Sequence, residues 1–208
     1  MSNSHRIEHD FLGEKQIPNH AYWGVHTARA VENFPISGTM ISAMPDLIRA
    51  FGFVKKAAAR ANVELGALDG QLAQPIIKAC EALIAGKFLD QFVVDVIQGG
   101  AGTSTNMNAN EVIANVALEF MGLEKGRYDA LRPNDHVNAS QAPTTCIRPQ
   151  CVLRCGWPLT AFSVRWKFCG QGLMSKRSHP VAGRGADDAG ARVFDLRRDD
   201  RRRCVAAH

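Results

Sequence analysis

No stretch of this 208-residue sequence reaches the roughly 18 consecutive apolar residues that a membrane-spanning helix needs. The first ten residues, Met1 to Asp10, contain no apolar leader core, so no secretory signal is expected and a cytoplasmic location follows by default. Before residue 140 there is a single cysteine, Cys80, and no disulfide framework is expected there. The last third lacks more. Between residues 141 and 208 there is no Glu, no Asn and no Tyr. Glu is among the commonest residues of globular domains, so its absence from a stretch of that size is unusual.

What is present divides at the same place. Residues 1–140 hold 12 Lys+Arg against 15 Asp+Glu, whereas residues 141–208 hold 13 against 5. The formal net charge of +5 therefore comes entirely from the second part. Eleven of its 13 basic residues are Arg, and five of the six cysteines lie there: Cys146, Cys151, Cys155, Cys169 and Cys204. Their spacing does not form two clean ligand pairs for structural zinc, so no metal is assigned. The run Arg197–Arg203 offers an electrostatic footing for nucleic acid, but Asp199 and Asp200 interrupt it and no aromatic platform accompanies it; nucleic acid is not the expected partner.

The first part reads as mainly α with short extended segments. From Glu8 to Gly38, Pro18, Gly24, Pro35 and Gly38 break the chain into extended pieces and turns. Pro45 and Asp46 open a helix in which Leu47, Ile48, Phe51, Val54 and Ala58 recur at helical spacing until about Gly66. Lys55, Lys56 and Arg60 suit its later turns, where cations complement the dipole. A second helix is expected between Asp69 and Ala85, stopped by Gly86; Pro75 either kinks it or marks its first turn. Cys80 is expected to pack there as a small core residue. A third helix runs from about Asn108 to Met121 and ends at Gly122, with Asn108 and Glu111 spaced as a capping box. Residues 123–140 read as loop, with a turn at Pro133-Asn134-Asp135.

Chemistry concentrates in Gly99-Gly-Ala-Gly-Thr-Ser-Thr-Asn-Met-Asn-Ala-Asn-Glu-Val112. Glycines let the backbone approach a ligand closely, and hydroxyl and amide donors follow at a helix start, which together make an anion site. The run has neither the Lys of a phosphate-binding P-loop nor the dinucleotide spacing, so a small carboxylate fits better than a nucleotide. A polar helix-capping loop with no ligand is the alternative reading.

This run resembles the first signature of the aspartase/fumarase superfamily. Pro133-Asn-Asp-His-Val-Asn-Ala-Ser-Gln141 resembles the start of its next signature, and Ile17–Gly38 is similar to its ammonia-lyase branch. The resemblance implies the N-terminal domain of that fold over residues 1–141, without the central helical bundle that builds the family's homotetramer. It implies a small dicarboxylate substrate, L-aspartate or fumarate, no cofactor and no metal. Thr103 and Ser104 would bind substrate, with Thr105 and Asn106 close by. Arg132, Asn134 and Asp135 would form a secondary anion site, although the fumarase branch has His where Arg132 stands. His136 would be a hydrogen-bonded structural residue. A fumarate hydratase-type lyase and a non-catalytic remnant with a basic tail are the alternatives.

The resemblance stops at Gln141. The family continues with Ser-Thr-Asn-Asp, and the codons of Ala142-Pro-Thr-Thr-Cys-Ile-Arg148, read one base upstream, can encode Ser-Thr-Asn-Asp-Val-Tyr-Pro. Shifted codons of Ser178–Gly190 resemble another family region. Residues 142–208 are thus expected to be an out-of-frame, unstructured tail. The family's catalytic Ser loop, of Gly-Ser-Ser-x-Met-Pro type, does not occur in the sequence, so the chain is expected to be inactive alone.

Overall fold

The computed structural model describes residues 4–100 and 102–142. The tail cysteines, the arginine run and, beyond Ala142, the shifted codons lie outside the described residues. Within them the architecture is mainly helical, with one small sheet. Strands β1 (His5–Asp10) and β2 (Gly13–Pro18) form an antiparallel hairpin in which Glu8 faces Lys15. Arg6 fastens this hairpin to the segment after it. Its guanidinium donates to the carbonyls of Pro18 (3.1 Å), Ala21 (2.8 Å) and Trp23 (2.7 Å).

The expectation of extended pieces and turns as far as Gly38 fails beyond that point, because Val25–Asn33 forms a helix, α1. Its sequence announces no start: the residue before it is Gly24, and no side chain of the N-cap caps it. Its caps come from elsewhere in the chain.

Helix α2 (Pro45–Glu64) begins at a proline, whose missing N–H would have been unpaired there in any case. Ile48, Phe51 and Val54 have no exposed surface. Helix α3 (Gly70–Ile84) begins after Asp69, whose carboxylate accepts from the Gln71 N–H at 2.9 Å. Pro75 lies inside this helix rather than at its first turn. Gly86, at φ +86°, ends it, and the Lys87 N–H reaches back to the Ala82 carbonyl at 3.0 Å. The two helices pack closely because Gly52 has no side chain: a Cβ there would lie 2.9 Å from Ile84 Cγ1 and 3.0 Å from the Cys80 carbonyl oxygen. Cys80 packs in this seam with no exposed surface, and burial pushes its thiol up to about 12.

Lys55 does not serve the helix dipole from the surface. It is completely buried, and its Nζ donates to Asn138 Oδ1 at 2.8 Å. Lys56 makes the outward ion pair, to Glu81 of α3 at 2.7 Å.

Helix α4 (Thr103–Phe120) runs through the core beside α3, with Val112, Ile113, Val116 and Leu118 fully buried. It starts five residues earlier than the capping-box reading places it. Gly102, at φ +78°, lets the chain turn directly into the helix. Asn108 then falls in the second turn, where it is buried and donates to the Gln91 carbonyl at 3.1 Å. Beyond α4, Pro133–Val137 forms a single π-helical turn that packs Pro133 and Val137 inward. Among the described residues no helix is long and apolar enough to cross a membrane.

Candidate functional site

The site is assembled around the start of α1. Gly24 and the first α1 residues present backbone N–H groups that no neighbouring side chain accepts. Two glutamates from distant elements do so. Glu111 of α4 accepts from Gly24 N (2.8 Å), His26 N (2.9 Å), Thr27 N (3.1 Å) and Thr27 Oγ1 (2.6 Å). Glu8 of β1 accepts from Val25 N at 2.8 Å and from Arg6 Nε at 2.7 Å. Anions at a helix N-terminus complement its dipole. Complete burial pushes the Glu111 carboxyl upward in pKa, against the hydrogen bonds that favour its anion. Gly24 is required between the two: a Cβ would stand 2.5 Å from both Glu8 Oε2 and the Tyr128 hydroxyl.

Fixed in this way, α1 turns one face to a cleft of about 370 Å³. His26, Arg29, Ala30 and Asn33 line it at helical spacing, and Thr103 and Ser104 face them from the first turn of α4. Asp10 closes another side. The Arg29 guanidinium grips it in two parallel bonds of 2.7 and 2.8 Å, and this contact holds the Asp10 carboxyl below its ordinary range. The cleft therefore carries an internally paired cation, two hydroxyl side chains and the N-terminus of an 18-residue helix.

Thr105 and Asn106 are buried behind this wall. Gln98 embraces Thr105: its Oε1 accepts from Thr105 N (2.8 Å), and its Nε2 donates to Thr105 Oγ1 (2.6 Å) and to the Asp95 carbonyl (2.9 Å). Asp95 is anchored in turn by the N–H groups of Ser37, Gly38 and Ile97 and by the Ser37 hydroxyl. Withdrawal from water raises the Asp95 carboxyl, but these four donors outweigh it and hold it at about 2. Asn106 donates to Asn138 Oδ1 at 3.1 Å, the atom that also receives Lys55. The side-chain oxygens of Asn106, Asn108 and Asn110 are buried with no hydrogen-bond partner.

The Pro133 turn does not line the cleft but joins α4 through Asn138. Arg132 pairs with Asp135 at 3.1 Å, both about 60% exposed, and the Arg132 N–H donates to His136 Nδ1 at 3.0 Å. His136 is thus a hydrogen-bonded residue of the turn, as expected. The turn closes through its backbone, His136 N to the Arg132 carbonyl (3.1 Å) and Asn138 N to that of Pro133 (3.0 Å). Among the described residues no three His, Cys, Asp or Glu side chains are grouped to hold a metal ion.

Sequence reasoning misses Glu8, Gln98, His26 and Arg29, and it reads Glu111 as capping its own helix, α4, whereas it caps α1. The spacing 26, 29, 30, 33 is a signal for the cleft-facing stripe once a helix is admitted there. Nothing local signals Glu8 or Gln98.

The cleft thus joins a glycine-entered helix start, two hydroxyl side chains and, behind them, buried amides. Residues 13–145 match a lyase family, and the chain belongs to that family. An aspartate ammonia-lyase from a Bacillus species is 61% identical over 142 residues, covering 68% of this chain and 30% of the relative. Among solved structures, a fumarate lyase:delta crystallin from Brucella melitensis is 51% identical with a TM-score of 0.69, over 70% of this chain and 32% of that one. A class II fumarase from Schistosoma mansoni is 31% identical with a TM-score of 0.67, over 72% of this chain and 31% of that one. The chain spans about 30% of the length of the curated relatives it matches.

Proposed function

We propose that this chain carries one wall of a dicarboxylate site of the kind that eliminates ammonia from L-aspartate to give fumarate. The observation that carries the reading is the pair Thr103 and Ser104, set at the N-terminus of α4 and opening on the cleft beside His26 and Arg29. Identity of 61% to an aspartate ammonia-lyase, against 31% to a class II fumarase, favours the amine-eliminating branch over the hydratase.

In this reaction a base removes a proton from Cβ, the electron pair forms the Cα–Cβ double bond, and the amine leaves from Cα. Before the amine departs, negative charge builds on the carboxylate next to Cβ as an aci-carboxylate. Hydrogen-bond donors already fixed in place stabilise that charge without reorganising. Hydroxyls at a helix start supply such donors, and the helix dipole adds a partial positive charge. Thr103 and Ser104 would touch the substrate carboxylate; Thr105 and Asn106 would back them. A secondary anion site is proposed at Arg132, Asn134 and Asp135, where an incoming carboxylate would compete with Asp135 for Arg132. No group in residues 4–142 is assigned as the base, so the 208-residue chain is expected to bind dicarboxylate without turning it over.

Fumarate titrated into the purified chain and followed by NMR tests this. Binding is expected, with Thr103→Val and Ser104→Ala each weakening it by about tenfold, the worth of one hydrogen bond to a charged group. No binding, or binding indifferent to both substitutions, overturns the reading. Release of fumarate from L-aspartate by this chain would overturn the statement that it lacks the base.

A further inference from the structure

The polar side chains that line the cleft are not equally engaged. Asp10 and Arg29 hold each other through two bonds, and Arg29 also donates to the Gly13 carbonyl at 3.2 Å. Thr103 and Ser104 stand together on the facing wall, in the first turn of α4. His26 and Asn33 remain. Asn33 is the exposed last residue of α1, two turns or about 10 Å along the axis from His26. His26 is half-buried in the first turn, where its backbone N–H is fixed to Glu111 at 2.9 Å. Its ring lies within electrostatic reach of Asp10 and of Glu111. Neither carboxylate accepts from it, because Asp10 is held by Arg29 and the Leu12 N–H, and Glu111 by its four donors around the start of α1. Among the described residues the His26 imidazole has no hydrogen-bond partner. In either neutral tautomer such a ring keeps one N–H to give, and as the cation it has two.

We propose that His26 is the specificity-determining residue of the cleft, donating to the second carboxylate of a ligand whose first carboxylate lies on Thr103 and Ser104, a role that rests on the proposed dicarboxylate reading of that wall. Arg29 is the stronger donor but is not the one that serves. Turning it to a ligand would strand the Asp10 carboxylate, whose side chain is only 7% exposed, and an uncompensated charge so placed is costly. The Asp10–Arg29 pair therefore stays closed and contributes no net charge. His26 gives up nothing to meet an anion. A monocarboxylate of the same length engages the hydroxyls equally well but sets an apolar end against the ring, so it forgoes one hydrogen bond to a charged group.

Fumarate and crotonate test it, since crotonate keeps the trans double bond and one carboxylate and carries a methyl group in place of the other. The full chain is expected to bind fumarate about tenfold more tightly than crotonate. His26→Phe is expected to weaken fumarate by about that factor and to leave crotonate unchanged, so that the preference disappears. His26→Gln, which restores an N–H donor, is expected to recover part of it. Ser104→Ala serves as the contrast, because it touches the carboxylate that both ligands share and should weaken both alike. A wild-type chain without the preference, a His26→Phe variant that keeps it, or one that loses affinity for both ligands equally would each overturn the proposal while leaving an anion site at Thr103 and Ser104. A second measurement needs no variant to fold. The His26 ring nitrogen resonances of the wild-type chain are expected to shift with fumarate more than with crotonate, and equal shifts or none overturn the inference. A wild-type chain that binds neither ligand removes the dicarboxylate reading, and this inference with it.

Discussion

Helices α1 and α3 both begin with unpaired N–H groups, and they solve that problem in opposite ways. For α3 the acceptor is Asp69, two residues from the N–H it receives. For α1 the acceptors are Glu8 and Glu111, 17 and about 85 residues away in the chain. The local cap lies on the surface and serves its own helix. The remote caps are buried and join β1, α1 and α4, the three elements that surround the cleft. A helix capped by its own sequence is a local event, whereas a helix capped from across the fold exists only when the fold does. The element that carries His26 and Arg29 is of the second kind, so the cleft is a product of tertiary structure.

The contrast predicts that Glu111→Ala has the largest effect of any single cap change. It leaves three backbone N–H groups and the Thr27 hydroxyl without their acceptor in a buried site. A loss of about 3 kcal/mol or more is expected, since each stranded donor costs about 1–3 kcal/mol. Urea unfolding of the chain measures it, and a loss below about 1 kcal/mol would mean that α1 does not depend on its remote cap. Glu111→Gln should fall between the extremes, because the amide end must face an N–H donor whichever way it turns.

Gly24→Ala probes the same junction sterically. Its Cβ would enter the space of Glu8 Oε2, the Tyr128 hydroxyl and Glu111 Cδ, at 2.5, 2.5 and 3.0 Å. Overpacking of this kind costs about 1–3 kcal/mol. The cleft should respond as well as the stability. Displacing the start of α1 moves His26 and Arg29 relative to Thr103, so fumarate binding is expected to fall along with the unfolding free energy. A variant that loses stability but keeps wild-type affinity would separate the cap from the site.

The same contrast sets what is legible from residues alone. Helices α2 and α3 can be placed within a residue or two because their signals are local: Pro45, Asp69, Gly86 and an apolar repeat of helical period. In the signature run, the glycines from Gly99 to Gly102 are readable as the turn that leads into a helix. Helix α1 is invisible because its caps lie outside any local window, and the start of α4 is misplaced for a related reason. Asn108 and Glu111 have the spacing of a capping box, but Glu111 is spent on α1, and Gly102 rather than a side chain starts the helix. Lys55 reads only as a cation suited to the helix dipole, because a lysine's burial depends on its partner, here Asn138, 83 residues on. Of the site, the hydroxyls can be named from sequence, but not the residues that hold them.

Asp95 lies between the two kinds of cap, since it receives Ile97 two residues on and Ser37 and Gly38 from 58 and 57 residues back. Its carboxyl is held at about 2, below the ordinary 3.8. A carboxyl depressed in the folded state stabilises the fold above its unfolded value and loses that contribution as pH falls through the folded one. Its stabilisation should therefore be complete above about pH 4 to 5 and decline from about pH 4 to about pH 2. Asp95→Asn should flatten the acid limb of a stability–pH curve in that window; an unchanged limb would remove Asp95 from the loop's anchoring.

The smallest effect is expected at the local cap, and it completes the comparison. Asp69→Ala removes one exposed hydrogen bond and one favourable charge–dipole contact at the start of α3. Water can replace the lost acceptor at an exposed N–H, so the expected loss is about 1 kcal/mol. Helix α3 should persist, because Ile76, Cys80 and Leu83 remain buried against α2 and α4. Fumarate affinity should not change, since no cleft residue lies on α3. Hydrogen exchange would show the first turn of α3 opening more often while its later turns stay protected. An Asp69→Ala loss equal to that of Glu111→Ala would erase the distinction between the two helix starts. So would a change in ligand affinity, because it would show that α3 reaches the site through more than the shared core.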